Sequence, residues 1–419
     1  MKALMTSAAL AALMASGAQA ADLRMSWWGG DSRHVMTQEA LRVCGEKHGH
    51  TIKAEFTGFD GYLEKLTTQM AGGTEADIVQ VNWPWMPLFS RNGTGFADIR
   101  EFSDQIDLSQ WTEEQLASGE MAGILNGLPV STSGRVFFFN TTTFEEAGVP
   151  LPTTWEELFE ASAQLKEKLG QDYFAFNGVK ETAQLLVSLQ VTQMTGKDLV
   201  DPETNRVAWT VDELAEGLAW YGRMVEEGVL QGHEQEAGQG NVNLFEKPDW
   251  ASGKIAGSYE WDSTWSKFAD PMIDDQVLVP AKMLVRQDAV TEGVYRKPSM
   301  LFAISKNSAN PEAAAEIINC MLNEPEGIDA LGDSRGIPAS AVAEARLAEA
   351  GAFDPKMKEA HDILMAAEGP VVSPFNEHPT LRGAFLDTME EYGYGMLDEE
   401  EAAEIIIDEA NRVLKGFDS

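Results

Sequence analysis

The stretch Asp22-Leu23-Arg24-Met25-Ser26-Trp27-Trp28-Gly29-Gly30-Asp31-Ser32-Arg33 decides the fold. A strand-like run reaches two tryptophans and stops at two glycines, the punctuation of a strand giving way to a turn. Working outward, residues 35–46 are helical in pattern, residues 51–57 (TIKAEFT) strand-like, 62–70 helical, 76–81 (ADIVQV) strand-like, and 84–90 helical again. Strand-helix-strand alternation implies an α/β fold with a parallel sheet covered by helices. In such sheets ligands occupy the crevice beyond the strands' carboxyl ends. Three of those ends are legible: Trp27-Trp28-Gly29-Gly30, Gly58-Phe59-Asp60-Gly61-Tyr62 and Asn82-Trp83-Pro84-Trp85. If the first strand runs through both tryptophans, they face opposite ways. One then anchors a core and one lines the crevice; Trp28, with the Gly29 backbone, is expected at the ligand.

The middle of the chain reads as a second α/β unit. Residues 135–140 (RVFFFN) form a strong strand, and 254–259 and 298–305 are further strands. Thr153 or Thr154 ahead of Glu156 and Glu157, and Thr210 ahead of Glu213, are capping-box patterns that start helices. Pro311 opens another helix, and helices continue to an acidic one around residues 399–414.

Composition sets the bounds. Residues 1–20 read as a secretory leader, with Lys2, a short apolar run and Ala18-Gln19-Ala20 as the cleavage site. That leader points to the periplasm. The remaining ~400 residues suggest two domains. They carry 67 acidic residues, against 31 basic residues in the whole chain including Lys2. Nucleic acid and anionic membrane surfaces are therefore poor partners. Cys44 and Cys320 each lie on the apolar face of a helical segment. Export makes a disulfide possible, and two readings stay open, a pair of buried thiols or one bond across a long loop.

Aromatic residues at strand ends carry the main functional signal. Sugars have apolar C–H faces and polar rims, so rings stack on them while carboxylates, amides and guanidiniums bond the hydroxyls. Trp27, Trp28, Trp83, Trp85, Trp261 and Trp265 lie at or just after strand ends, beside Asp60, Asn82, Glu260 and Asp262. Any one of these tryptophans taken alone is a core residue by default; three clusters at equivalent places imply a ligand contact. No metal-ligand spacing, nucleophile elbow or phosphate loop occurs, so no metal, cofactor or catalytic residue is expected.

Several motifs together carry a family resemblance. They are WWGG after the first strand, residues 66–78 (LTTQMAGGTEADI), Asn82-Trp83, Lys297-Pro298-Ser299, residues 305–314 (SKNSANPEAA), Asn323-Glu324-Pro325-Glu326-Gly327 and Arg335-Gly336-Ile337-Pro338. Their order and spacing resemble the family 1 extracellular solute-binding proteins of ABC transporters, which are related to maltose-binding protein. The resemblance covers nearly the whole chain after the leader and is closest to the oligogalacturonide-binding branch. It implies a two-lobe periplasmic binding protein fold with a hinge and an interlobe ligand cleft. The lobes are expected at 21–131 with 299–340, and at 132–298 with 341–419. It also implies a monomer that is not an enzyme, which binds a carbohydrate and delivers it to permease subunits in the inner membrane. An anionic uronate calls for basic groups. Arg33, His34, Arg135, Lys180, Arg296, Lys297 and Arg335 are available, Arg33 and Arg135 foremost, and Ser133 lies at the expected crossing. Both cysteines stand where relatives more often carry a large apolar residue, within one lobe. That paired departure favours a Cys44–Cys320 bond. Other readings are a receptor for a neutral sugar, a sugar alcohol or a non-sugar solute, and an exported glycan-degrading enzyme.

Overall fold

The computed structural model describes residues 20–417 apart from 60, 179, 180, 203 and 241. The expected leader therefore lies outside the described residues except for its last one, as do Asp60 and Lys180. Three strands, Asp22–Trp28, Thr51–Thr57 and Ile78–Asn82, pair in parallel, with Asp22–Trp28 in the middle. Helix Asp31–His48 connects the first two and stops at Gly49, whose φ of 78° ends a helix at little cost. The capping boxes at Thr154/Glu157 and Thr210/Glu213 form, opening helices Trp155–Leu169 and Val211–Glu226.

Beyond these strands the sheet departs from the parallel expectation. Strand Arg296–Ile304 runs antiparallel to Ile78–Asn82 and also to the long strand Leu128–Asn140. All thirteen residues of that long strand are buried. Its first half pairs with Arg296–Ile304, while its second half is flanked by Gly257–Trp261 and Leu278–Ala281. One strand thus spans two packing units, and the return strand lies against it with Lys297 opposite Ser133.

The apolar residues gather accordingly. One core holds residues from 21–130 and 300–339 together with Val372; another holds residues from 136–294 and 360–414. Helix Ala341–Glu349, expected with the second lobe, instead packs its Ala343 and Leu347 against Ile328 and Ile337. Ala343 and Leu347 are one helical turn apart, so they form a single apolar stripe that suits this neighbour. This helix therefore packs beside helix Pro325–Leu331. Cys44 and Cys320 are bonded, with Cα atoms 5.7 Å apart, tying helix Asp31–His48 to helix Pro311–Asn323. Among the described residues no helix is long and apolar enough to cross a membrane.

Candidate functional site

The strand Asp22–Trp28 sends its last two side chains to opposite faces. Trp27 is fully buried, 5.0 Å from Phe56 between ring centroids, and its indole N–H donates to His34 Nδ1 at 3.1 Å. Trp28 packs among Tyr62, Trp85 and Phe59 at 5.3, 5.4 and 5.7 Å and is only 7% exposed. Both tryptophans are thus covered in this structure. The ring in this cluster that meets solvent is Phe59, 52% exposed and stacked on Trp85. Tyr62 explains the burial of Trp28. Its hydroxyl donates to the carbonyls of Ser26 and Gln80, wedging the ring beneath the indole. Phe59 lies in a strand end already noted in the sequence, though not among the expected ligand residues, and its exposure makes it a site candidate.

Gly29 was expected to bring backbone close to the ligand. In the structure it also makes room for a neighbour. A Cβ at Gly29 would stand 2.6 Å from Arg33 Cδ, so the missing side chain makes room for Arg33 to fold back. There Arg33 Nε donates to the Ser334 carbonyl and Nη1 to the Trp28 carbonyl. Arg335 reaches the same place: its Nε donates to Gln80 Oε1 at 2.9 Å and its Nη1 to Ser334 Oγ at 3.2 Å. Burial, and then the charge of Arg33, push the Arg335 guanidinium well below its ordinary range. Gln80, which also donates to the Trp28 carbonyl, was not foreseen.

In the second unit Arg135, Glu260 and Trp261 come together at the end of strand Gly257–Trp261. They line a cavity of about 320 Å³, with Asn177, Glu181, Lys247 and Phe245 among its other walls. Arg135, 2% exposed, donates to the Tyr259 carbonyl and to Glu260, pairs with Glu181 at 3.0 Å, and lies 4.6 Å over the Trp261 ring. Its Nε is buried without a partner. Burial raises the Glu260 carboxyl above the usual range, with Arg135 opposing. Burial acts the same way on Glu181, but Arg135 and Arg382 outweigh it and hold that carboxyl low. The cavity therefore offers hydroxyl acceptors, an aromatic face and a guanidinium already balanced by two carboxylates.

Lys297 joins the two faces. Its ammonium lies 5.6 Å from the centroid of Trp83, 4.9 Å from that of Trp261, and 2.9 Å from Glu377. Trp83 itself is buried, its indole N–H held by the Ser118 carbonyl, and Asn82 ends its strand half-buried opposite Met300. Two expected ligand groups are committed elsewhere. Asp262 accepts from Ser133 Oγ, from the Gly134 and Ser263 amides, and contacts His361 Nδ1 at 2.7 Å. Asp262 and Ser133 thus clasp the long strand where it passes between cores, buried at the hinge rather than open to a ligand. Arg296 spans the same junction, from the Leu364 and Ala367 carbonyls to Glu114. His48, Cys320 and Glu324 cluster, but the Cys320 sulfur is spent in the disulfide and cannot serve as a thiolate ligand.

Comparison with known proteins adds the following. The sequence model of the bacterial extracellular solute-binding protein family matches residues 38–328. A periplasmic solute-binding protein from Pectobacterium atrosepticum is 35% identical, with a TM-score of 0.83 over 95% of this chain and 99% of that one. A periplasmic oligogalacturonide-binding protein from Yersinia enterocolitica is 34% identical, with a TM-score of 0.89 over 94% of this chain and 99% of that one. A periplasmic oligogalacturonide-binding protein from Yersinia enterocolitica in complex with saturated digalacturonic acid, also 34% identical, gives 0.78 over 95% and 99%. A binding protein of Brucella abortus is 26% identical over 56% of this chain and 57% of its own length. The chain thus spans just over half the length of that curated relative.

Proposed function

The chain belongs to the bacterial extracellular solute-binding protein family, and from that premise we propose that it captures an acidic oligosaccharide of the oligogalacturonide class for an ABC importer. The observation that carries this reading is Lys297, held between Trp83 of one lobe and Trp261 of the other. Aromatic faces from both sides of a hinge suit a sugar ring, and the ammonium between them, shared with Glu377 at 2.9 Å, adds a donor for its polar rim. The cavity beside Trp261 supplies carboxylates for hydroxyls and Arg135 for a polar rim. The lobes divide at 131/132 and at 298/299, and again after helix Ala341–Glu349.

The ligand enters between the lobes, and closure stabilises the bound state. No bond in the sugar is made or broken. The protein works outside the cytoplasmic membrane, as a monomer, and hands the sugar to the permease subunits. Isothermal titration calorimetry with digalacturonate and with neutral disaccharides of the same size tests the proposal. Tight binding of digalacturonate with no release of monosaccharide is the expected result. Binding of neutral sugars alone would overturn the uronate assignment, and turnover of the ligand would overturn the receptor role.

A further inference from the structure

We propose that the N-terminus of helix Asp31–His48, with Arg33 and Arg335, is a carboxylate-binding pocket that takes one uronate group of the ligand. This rests on the uronate reading above and goes further, since it assigns the charge of the sugar to one lobe.

Three independent features meet there. The first is charge without a counter-charge. The chain has 67 acidic and 31 basic residues, so a basic side chain rarely lacks an acid. The buried Arg135 obeys this, pairing with Glu181 and Glu260, and so does the half-buried Arg296, pairing with Glu114. Among the described residues Arg33 and Arg335 have no such partner. Their hydrogen bonds all run to neutral acceptors, namely the Ser334 and Trp28 carbonyls, Gln80 Oε1 and Ser334 Oγ. Both guanidiniums converge on Ser334, so two like charges sit together.

The second feature is a buried donor with no partner. Arg335 is 5% exposed and its Nη2 makes no hydrogen bond. Leaving such a group unpaired costs more than a hydrogen bond gains, and a charged one costs most. A molecule that supplies an anionic oxygen offsets that cost.

The third is the helix end. Its N-cap is Gly30, which provides no side-chain acceptor, so first-turn amides are left open. The helix has eighteen residues and a positive end that favours an anion. Arg33, in that first turn, is a cation at the end where a cation is disfavoured. The first turn already carries the exposed carboxylate of Asp31, so an anion bound there chiefly offsets the charge of Arg33 and Arg335. Gly29 keeps the approach open by leaving space for Arg33, and Trp28 with the exposed Phe59 forms the adjoining wall.

The second lobe complements this arrangement. Arg135 is already balanced by Glu181 and Glu260, so that cavity accepts hydroxyls better than a further carboxylate. The sugar is then polarised, its carboxylate toward Arg33 and its hydroxyl edge toward Glu260.

Calorimetry on the full-length mature protein tests this, with digalacturonate titrated into wild type, Arg33→Gln and Arg33→Lys at low and high salt. Arg33→Gln should weaken binding about tenfold or more, the worth of one charge-assisted contact, and flatten the salt dependence. Arg33→Lys keeps the charge but loses the planar fork, and should fall between the two. Thermal unfolding checks that each variant folds; should Arg33→Gln fail to fold, Arg33→Lys decides by the same comparison. Variants that bind digalacturonate as tightly as wild type, with the same salt dependence, would overturn the pocket while leaving the receptor role intact. Wild-type protein that binds neutral disaccharides and no uronate would overturn both readings.

Discussion

Arg33 occupies the volume that a side chain on Gly29 would need: a Cβ there would stand 2.6 Å from Arg33 Cδ and 3.0 Å from its Cβ and Cγ. Gly29 does not lie in the left-handed backbone region, so alanine brings no strain of its own. Gly29→Ala should therefore act through Arg33. The guanidinium must swing away from Ser334, and digalacturonate affinity should fall about tenfold, as if one charge-assisted contact were lost. The melting temperature should move by only a few degrees. Calorimetry beside a thermal melt checks both, and unchanged affinity would separate Gly29 from the ligand.

Trp28 and Phe59 touch, yet they should respond differently to alanine. Trp28 is 7% exposed and packed by three aromatic rings, so Trp28→Ala should cost about 3–5 kcal/mol of stability. Phe59 is 52% exposed and gives up little packing. Phe59→Ala should leave urea unfolding almost unchanged and reduce sugar affinity severalfold. A sugar titration that does not register the loss of Phe59 would demote that ring to surface.

The disulfide should matter to stability alone. Cys44 and Cys320 are 276 residues apart in sequence, so the bond restrains a long loop in the unfolded chain. Replacing both by serine should cost roughly 2–5 kcal/mol. Cys44 lies eleven residues along the helix from Arg33, about 16 Å at the α-helical rise. Ligand affinity should therefore survive. Urea unfolding of the double variant beside calorimetry measures both quantities.

Asp198 predicts a pH dependence. Burial raises its carboxyl to about 6, although the Ser373 amide and the Asn376 side chain bond it. The unfolded chain releases this proton near pH ~3.9. Between the two values the unfolded state is ionised and the folded state still holds the proton. Stability from this group is thus full below about pH 4 and is lost as pH rises to about 6. Asp198→Asn lacks the titration. Its stability relative to wild type should rise by about 3 kcal/mol across that interval, read from urea unfolding at each pH. A constant difference between the two proteins would contradict the assignment.

Much of the architecture was open to reading because it is written in local periodicity. The run from Asp22 to Asn82 alternates period-two and helical patterns with glycine between them, and those patterns need only neighbours in sequence to be interpreted. Capping at Thr154 and Thr210 is likewise settled within four residues. The reversal of strand direction after Asn82 was not legible. It depends on Arg296–Ile304, some two hundred residues away, inserting beside Ile78–Asn82.

The candidate site divides along the same line. Sequence by itself placed aromatic and polar residues, Glu260 and Trp261 among them, at strand ends, and the family resemblance added Arg33, Arg135 and Arg335. Only the tertiary structure decided their employment. It turned Asp262 and Ser133 into a hinge clasp, buried Trp28 behind Phe59, and set Arg33 in the space beside Gly29. It also set Lys297 between Trp83 and Trp261, and left Arg33 and Arg335 side by side with no ion-pair partner among the described residues. The physical reason is range. Periodicity and capping act over a few residues, whereas the partner that satisfies or deserts a buried charge comes from any part of the chain that packing brings within hydrogen-bond reach.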